Sequence, residues 1–158
     1  MMIFRNMRRW KQKLSEQECI DVLIHAPRGV LAVHGEDGYP YAFPMNYLYW
    51  DGKIYFHCAK EGHKLDALAC NDKVSFCVMD EGFRKSGDWA LNIKSVIIFG
   101  CVKKMTKSQE TTDIIRQIGL KYYPTADGVE EEIRKAGAQV QILELTIDHM
   151  TGKLVNES

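Results

Sequence analysis

The chain has 158 residues, 46% of them apolar and 27% charged, which is the composition of one soluble globular domain. Basic and acidic residues number 21 each, so the formal net charge is zero and a general nucleic-acid binder is not expected. No apolar run approaches the roughly 20 residues that span a bilayer, so no membrane partner is expected either. The five cysteines are odd in number and form no CxxC pair, which favours reduced thiols in a cytoplasmic protein over a disulfide framework.

The first predicted elements are a basic arm and a helix. Residues 1–13 carry basic side chains and no acidic one, which favours a flexible, solvated arm over an arm that binds a partner. Ser15 and Glu18 form a capping box, in which each side chain can bond the other residue's backbone N–H. The helix that starts there ends at Pro27, because proline cannot continue it.

Strand patterns dominate the next part of the chain. The stretch from Tyr39 to Trp50 is rich in aromatic residues, but Pro40 and Pro44 exclude a fully paired central strand along its whole length. Asp51-Gly52 predicts a hairpin turn. Alternation and turn residues predict strands over 29–33, 54–58, 74–79 and 89–103, with a bend at Gly100, a helix over 63–70 and a loop over 80–88.

The last third of the chain predicts two helices and a strand. Thr106 to Gln109 is interpreted as a second capping box, and a third helix starts at Asp127 and is closed by Gly137. In the final strand, over 139–148, the apolar residues move from one set of alternate positions to the other half-way along. This change predicts a bulge or burial of both faces. About six strands joined by hairpins and short helices predict a mainly β single domain, an antiparallel barrel with external helices.

The sequence lacks the common catalytic and nucleotide-binding motifs. It contains no GxGxxG or P-loop pattern, no GxSxG elbow and no paired His/Cys spacing for zinc, so no metal is expected. His57 and Cys58 are adjacent on a predicted strand and therefore point to opposite faces. What remains is a cluster of Lys60, His63 and Lys64 at a helix start, which suits either a phosphate site or a solvated basic turn.

Three segments together resemble a known family: YAFPMNYLYWDGKIYFHCAKEGHKLDAL, NDKVSFCV and SVIIFGCV. They are similar to the FMN-binding split β-barrel proteins related to pyridoxamine 5′-phosphate oxidase, nearest the branch with the 5-nitroimidazole resistance proteins. The resemblance runs from about Ser15 to Met105 and is weak beyond it. It implies a six-stranded Greek-key split barrel and a homodimer with FMN at the subunit interface.

The resemblance also implies roles for individual residues. The segment from Ala42 to Asn46 would run along the flavin ring, mainly through backbone groups, and His57 would lie beside the flavin or its ribityl chain as a tentative catalytic residue. Ser95 and Val96 would reach the flavin from the other subunit. The implied cofactor-binding residues are Ala42, Phe43, Pro44, Met45, Asn46, His57, Lys60, His63, Lys64, Ser95 and Val96, of which His63, Lys64 and Lys60 would serve the phosphate.

Two departures from the family pattern bear on the reaction. His63 stands where the oxidase typically has an arginine, and the oxidase's carboxy-terminal arginine-and-histidine pattern is missing, since residues 139–158 contain only His149 of these types. Oxidation of the pyridoxine phosphate substrate is therefore not expected. Two functions stay open: an FMN-dependent reductase of small electron-poor molecules such as 5-nitroimidazoles, and a non-catalytic flavin- or haem-binding protein on the same scaffold.

Overall fold

The computed structural model describes residues 2–157, which fold into one antiparallel sheet with helices around it. The helices are α1 (Glu16–His25), α2 (His63–Cys70), α3 (Gln109–Tyr122) and α4 (Ala126–Ala136), with short 3-10 turns at Trp10–Gln12 and Gly137–Gln139. The strands are β1 (Gly29–His34), β2 (Pro40–Met45), β3 (Leu48–Trp50), β4 (Lys53–Cys58), β5 (Lys73–Met79), β6 (Leu91–Lys104) and β7 (Gln141–Glu157). Within residues 2–157 no helix is long and apolar enough to cross a membrane.

The sheet confirms the mainly β fold, although it has seven strands where the sequence predicts six. Its order is β2-β1-β5-β6-β7-β4-β3, and every neighbouring pair is antiparallel. The extra strand arises because the aromatic stretch 39–50 divides into β2 and β3 around Asn46 and Tyr47. Both prolines of this stretch lie on β2, an edge strand, where a missing N–H costs no sheet hydrogen bond on the open side.

The link between β2 and β3 curls the sheet into a barrel. These two strands are opposite edges of the sheet, yet only Asn46 and Tyr47 separate them. Three peptide steps reach at most about 11 Å. In a flat sheet, six strand spacings would hold the edges about 29 Å apart. The sheet therefore closes on itself at this link and stays open elsewhere, which is the split barrel that the sequence predicts.

Two apolar clusters flank the sheet. The inner one fills the barrel with fully buried side chains such as Leu31, Phe56 and Phe76. The outer one holds α3 against the sheet through Tyr55, Ile114, Ile118 and Ile142, with Leu48.

Strand β7 serves both clusters, which explains its change of apolar parity. Ile142 packs outward under α3, whereas Leu143 and Leu145 point into the barrel, and all three are fully buried. The register with β6 also shifts between Phe99 and Gly100, where Asp148 of β7 is skipped. Burial of both faces is thus confirmed, and the register shift beside Gly100 agrees with the bend or bulge expected there.

Two sequence predictions are corrected. The last strand does not end at Asp148 but continues to Glu157, because residues 149–157 pair with the first half of β6. Their polar composition conceals a strand whose stability comes from this pairing. The cap of α3 is Ser108 and not Thr106: the Ser108 hydroxyl accepts from the Thr111 N–H at 3.2 Å.

The basic arm lies partly against the sheet. The ring of Phe4 stacks on His149 with centroids 4.4 Å apart, and Lys13 forms a β-bridge with Lys153. Ser15 and Glu18 make the predicted capping box, with hydrogen bonds of 2.8 and 3.2 Å, directly after the arm. The flexibility of residues 1–13 stays a prediction.

Candidate functional site

The start of α2 presents free helix N–H groups. Gly62 precedes the helix with a φ of 139°, a conformation that favours glycine, and no side chain of residues 2–157 caps this end. The Gly62 carbonyl accepts from the N–H groups of Leu65 and Asp66 at 3.0 and 3.1 Å. The N–H groups of His63 and Lys64 lie ahead of those bonds, at the positive end of the helix dipole. This end of α2 is therefore suited to an anion.

The edge strand β2 faces this helix start across an aromatic contact. The ring of Tyr41 stacks on His63 with centroids 4.1 Å apart, and Phe43 lies 4.8 Å from Tyr41. The ammonium of Lys64 lies 4.8 Å from the Phe43 ring centre and 3.5 Å from the sulfur of Met45. We call the space between β2 and the start of α2 the cleft. Two groups of residues predicted separately, 42–46 and 63–64, thus meet there.

Lys64 is the most informative side chain of the cleft. It is half-buried, and its polar contact is a thioether, which is a weak acceptor. Among residues 2–157, no carboxylate lies within salt-bridge distance of its ammonium. A cation in this position lacks a strong partner and can make a charge-assisted bond to a ligand.

The backbone of β2 is available to a ligand on its open side. Alternate side chains of β2 are exposed, namely Pro40, Ala42 and Pro44, while Phe43 and Met45 are buried. In an antiparallel pair, the backbone N–H and C=O of alternate residues face the neighbouring strand, and proline has no N–H to donate to β1. The alternate residues that include the two prolines are therefore those whose backbone groups face away from the sheet. The N–H and C=O of Ala42 therefore point toward the open edge. A ligand ring with its own donors and acceptors can pair with them.

His57 and Asn46 both line a cavity of about 260 Å³ between β4, α3 and α4. The imidazole keeps an exposed face, and its pKa is lowered from 6.5 by the loss of water around it and by the nearby charge of Lys64. At neutral pH His57 is thus mainly uncharged and donates through one ring N–H. The charge of Lys64 therefore acts on an imidazole that lines the cavity.

Three predicted site residues lie apart from the cleft. Lys60 is exposed and borders a second depression with Lys104 and Lys107. Ser95 and Val96 lie on β6, separated from β2 by two strands. The Val96 side chain is fully buried in the barrel, so only its backbone is open to a contact from outside. The contribution of these two residues to a second subunit's site stays a prediction.

Ser95 shares an apolar sheet face with its neighbours. Val30, Ile97 and Phe99 are 41–43% exposed on the outer side of β1 and β6, and Met79 of β5 is 57% exposed. Strand register places Val30, Cys77 and Ile97 in one row across three adjacent strands, with Pro44 next on β2. This sheet face therefore reaches the open edge of the cleft.

Sequence reasoning missed a cluster at the end of α3. Lys121 donates to the carbonyls of Ala26 and Tyr47 at 3.0 and 3.1 Å, and its ammonium is 3.9 Å from the Tyr47 ring centre. The hydroxyl of Tyr122 accepts from the Tyr47 N–H at 2.9 Å and donates to the Pro27 carbonyl at 2.7 Å. The available signal was helical spacing, since Lys121 and Tyr122 follow buried Ile118 by three and four positions and so share its face.

Among residues 2–157, no group of three or more His, Cys, Asp or Glu side chains is arranged to hold a metal ion. The aromatic residues of the stretch 39–50 differ in their placement. Tyr41 and Phe43 border the cleft, while Tyr47 is fully buried in the barrel and donates from its hydroxyl to the Leu23 carbonyl at 2.7 Å.

Comparison with known proteins identifies a family and a fold. The family model described as pyridoxamine 5′-phosphate oxidase matches residues 15–154. No curated protein matches the sequence.

Solved structures with a similar fold come from several bacteria. One from Bacteroides thetaiotaomicron, provisionally described as a 5-nitroimidazole antibiotic resistance protein, has a TM-score of 0.74 and 20% identity over 91% of this chain and 87% of that chain. A conserved hypothetical protein from Mycobacterium tuberculosis has a TM-score of 0.79 and 19% identity, covering 94% and 90%. A FAD and haem binding protein from Mycobacterium smegmatis has a TM-score of 0.71 and 23% identity, covering 94% and 74%. At these identities the similarity establishes the shared fold alone.

Proposed function

The chain belongs to the pyridoxamine 5′-phosphate oxidase family, and from that premise we propose that it is a flavoprotein that binds FMN in the cleft. The observation that carries the proposal is Lys64, a half-buried ammonium with a thioether and an aromatic ring as its contacts, beside the uncapped start of α2. A terminal phosphate supplies the strong acceptors that this position lacks. FMN is favoured over FAD because the chain has one such helix start and no glycine-rich dinucleotide turn.

The chemistry of the cleft fits the rest of the cofactor. The open backbone of Ala42 and its neighbours matches the donors and acceptors of a flavin ring, and Tyr41 and Phe43 offer aromatic surface beside it. His63 stands where the oxidase typically has an arginine, so an imidazole N–H would serve the phosphate in place of the guanidinium's paired donors. Bound flavin would supply hydride and electron transfer, and the protein's part is to hold and orient it.

We propose that two copies of the chain form a homodimer across the sheet face. Exposed apolar side chains in register on three adjacent strands favour burial against a second copy. Because this face borders the open edge of β2, a second copy docked there would bring its own Ser95 toward the cleft. Light scattering at micromolar concentration tests the dimer. A monomer that still holds flavin would refute it.

As the activity, we propose reduction of small electron-poor molecules such as 5-nitroimidazoles. His57 lines the apolar cavity and its pKa responds to Lys64 of the cleft, so in this proposal it bonds the flavin through a ring N–H or, as the imidazolium, gives a proton to a molecule that accepts electrons. The absence of the oxidase's carboxy-terminal arginine and histidine pattern argues against a pyridoxine phosphate substrate.

The first experiment is the absorption spectrum of the purified protein, followed by extraction of any bound group. Flavin bands and an extract that runs with FMN on chromatography are the expected result. An extract of FAD or haem, or no binding after incubation with FMN, would overturn the cofactor assignment. Anaerobic oxidation of NADPH in the presence of a nitroaromatic acceptor then distinguishes a reductase from a protein that binds flavin without turnover.

A further inference from the structure

The cavity beside His57 has the size of a small-molecule site. Its volume of about 260 Å³ exceeds the roughly 150 Å³ that suffice to hold benzene in a protein interior. The lining includes aliphatic side chains of α3 and α4, chiefly Ile115, Ile118 and Ile133, together with the polar groups of His57, Asn46, Tyr122 and Tyr123. Such a distribution orients a ligand: its apolar body lies against the helices and its polar group faces the imidazole and the amide.

The open space is not the result of loose packing between the two helices. At Gly119 a Cβ atom would lie 2.6 Å from a methyl of Val129, so α3 and α4 are in close contact at that point. Protein interiors are otherwise close-packed, and voids larger than a water molecule are few. The space beside this contact is therefore an apolar recess, partly open to solvent, into which a small ligand can fit.

The charges around the cavity select against ions. Among the described residues that line it, Glu132 alone carries a formal charge at neutral pH, and it is exposed at the rim. An anion would meet this carboxylate and no cation, and a cation would have to leave water for a mostly apolar wall. A neutral molecule with one acceptor group meets neither penalty.

We propose that the cavity binds a small neutral aromatic molecule, the electron-accepting substrate of the flavoprotein, with its polar group toward His57 and Asn46. This proposal rests on the proposed function, because Asn46 of the cavity wall is next in the chain to Met45, whose sulfur contacts Lys64 in the cleft that would hold the flavin. Asn46 directly follows the edge strand, and His57 lies within the electrostatic reach of Lys64. The helices α3 and α4 then form a substrate site on a barrel that binds the cofactor.

Filling the cavity tests the proposal. Ala136 is half-buried on the cavity wall at the end of α4, so Ala136→Phe places a ring inside it. The matched control is Ala126→Phe, the same change at the exposed start of the same helix, outside the cavity. Should Ala136→Phe fail to fold, Ile133→Phe enlarges another half-buried side chain of the same wall.

The probe is 4-bromonitrobenzene, with and without FMN. Crystals soaked in it should show an anomalous bromine peak between α3 and α4 in the unmodified protein and in Ala126→Phe, and none in Ala136→Phe. By titration in solution, Ala136→Phe should weaken probe binding by about tenfold or more, the scale on which one misfitted methylene group acts in an apolar pocket. The FMN dissociation constant should stay within about twofold in both variants.

The outcomes distinguish the cavity proposal from the flavin-binding proposal on which it rests. A bromine peak elsewhere, or equal probe affinity in the two variants, overturns the cavity site and leaves flavin binding untouched. A loss of FMN affinity in Ala136→Phe alone means that the flavin itself occupies the cavity, which also overturns the proposal. If the unmodified protein binds no flavin, the proposed function fails, and a probe bound in the cavity would then be a ligand and not a flavin substrate.

Discussion

The end of α3 contacts Tyr47 of the link between β2 and β3, and the start of α2 contacts Met45 shortly before that link; each brings a half-buried lysine over an aromatic ring. At the end of α3, Lys121 donates to two backbone carbonyls and lies 3.9 Å from the Tyr47 ring centre. At the start of α2, Lys64 contacts the Met45 sulfur and lies 4.8 Å from the Phe43 ring centre. The two sites have similar composition, but the Lys121 ammonium donates to strong carbonyl acceptors and the Lys64 ammonium contacts only a weak one.

This difference separates a structural lysine from a ligand-binding one. The hydrogen bonds of Lys121 and Tyr122 fix the link that closes the barrel, and therefore contribute to folding. The Lys64 ammonium has no comparable acceptor among residues 2–157, so its energetic contribution is expected when an anion binds. Substitutions near α3 should change stability, and substitutions near α2 should change affinity.

The largest effect is expected for Tyr47→Ala. This side chain is fully buried, packs edge-on against Phe76 at 5.1 Å and donates to the Leu23 carbonyl. Its removal should lower the free energy of unfolding by about 3–5 kcal/mol, as large buried aromatic truncations do. Urea unfolding of the flavin-free protein measures the loss, with Tyr39→Ala, at a side chain 75% exposed, as control. A loss below about 1 kcal/mol would contradict the structural role of the link.

His57→Gln tests the residue that lines the cavity beside α3 and whose pKa responds to Lys64 at the start of α2. If His57 is the proton donor, the variant should keep FMN bound and reduce a nitroaromatic about 10²-fold more slowly. The rate of the unmodified protein should then rise as the pH falls below 6.5, because the imidazole pKa is lowered from that value. If His57 only orients the flavin, affinity and turnover should fall together. Normal affinity with normal turnover would exclude it from the site.

Lys64→Ala should weaken FMN binding and leave folding nearly unchanged. A charge-assisted bond contributes roughly 1.5–3 kcal/mol, which corresponds to about one to two decades in dissociation constant. Fluorescence titration measures the affinity, and urea unfolding without flavin measures the stability. The control is Lys107→Ala, an exposed lysine just ahead of α3. Unchanged affinity in Lys64→Ala would place the phosphate elsewhere.

The smallest effect concerns pH and Lys121. Burial lowers the pKa of this lysine to about 8, below its ordinary 10.5. Between these values the unfolded chain holds the proton and the folded chain does not, so stability from this group rises with pH across that window. Since Lys121 is half-buried, the gain should be about 1 kcal/mol, well below the full shift. The measurement compares urea unfolding with Lys121→Met, in which this increment should be missing; an identical slope in both proteins would contradict it.

The sequence predicts best what depends on near neighbours. Ser15 and Glu18 predict their capping box, the prolines of 39–50 exclude a fully paired central strand, and His63 and Lys64 mark the open helix start, because each signal lies within a few residues. The resemblance adds the split barrel. None of these predictions required knowledge of which strands pair.

What the sequence does not reveal depends on distant pairing. Residues 149–157 form a strand because they meet the first half of β6, 50–66 positions earlier in the chain. Lys121 reaches carbonyls 95 and 74 positions away, and its role follows only from that proximity. The cavity beside His57 likewise exists only where three separate elements meet.

The strand order has a consequence for biosynthesis. The β3–β4 hairpin joins the rest of the sheet only through β7, which is the last strand to be made. At about 5–20 residues per second, the ribosome needs roughly 4–16 s to progress from the end of β4 to the start of β7. During that interval the nascent chain exposes the apolar inner face of the hairpin, including Ile54 and Phe56. Slow translation between residues 59 and 140 would therefore prolong the chain's dependence on chaperones.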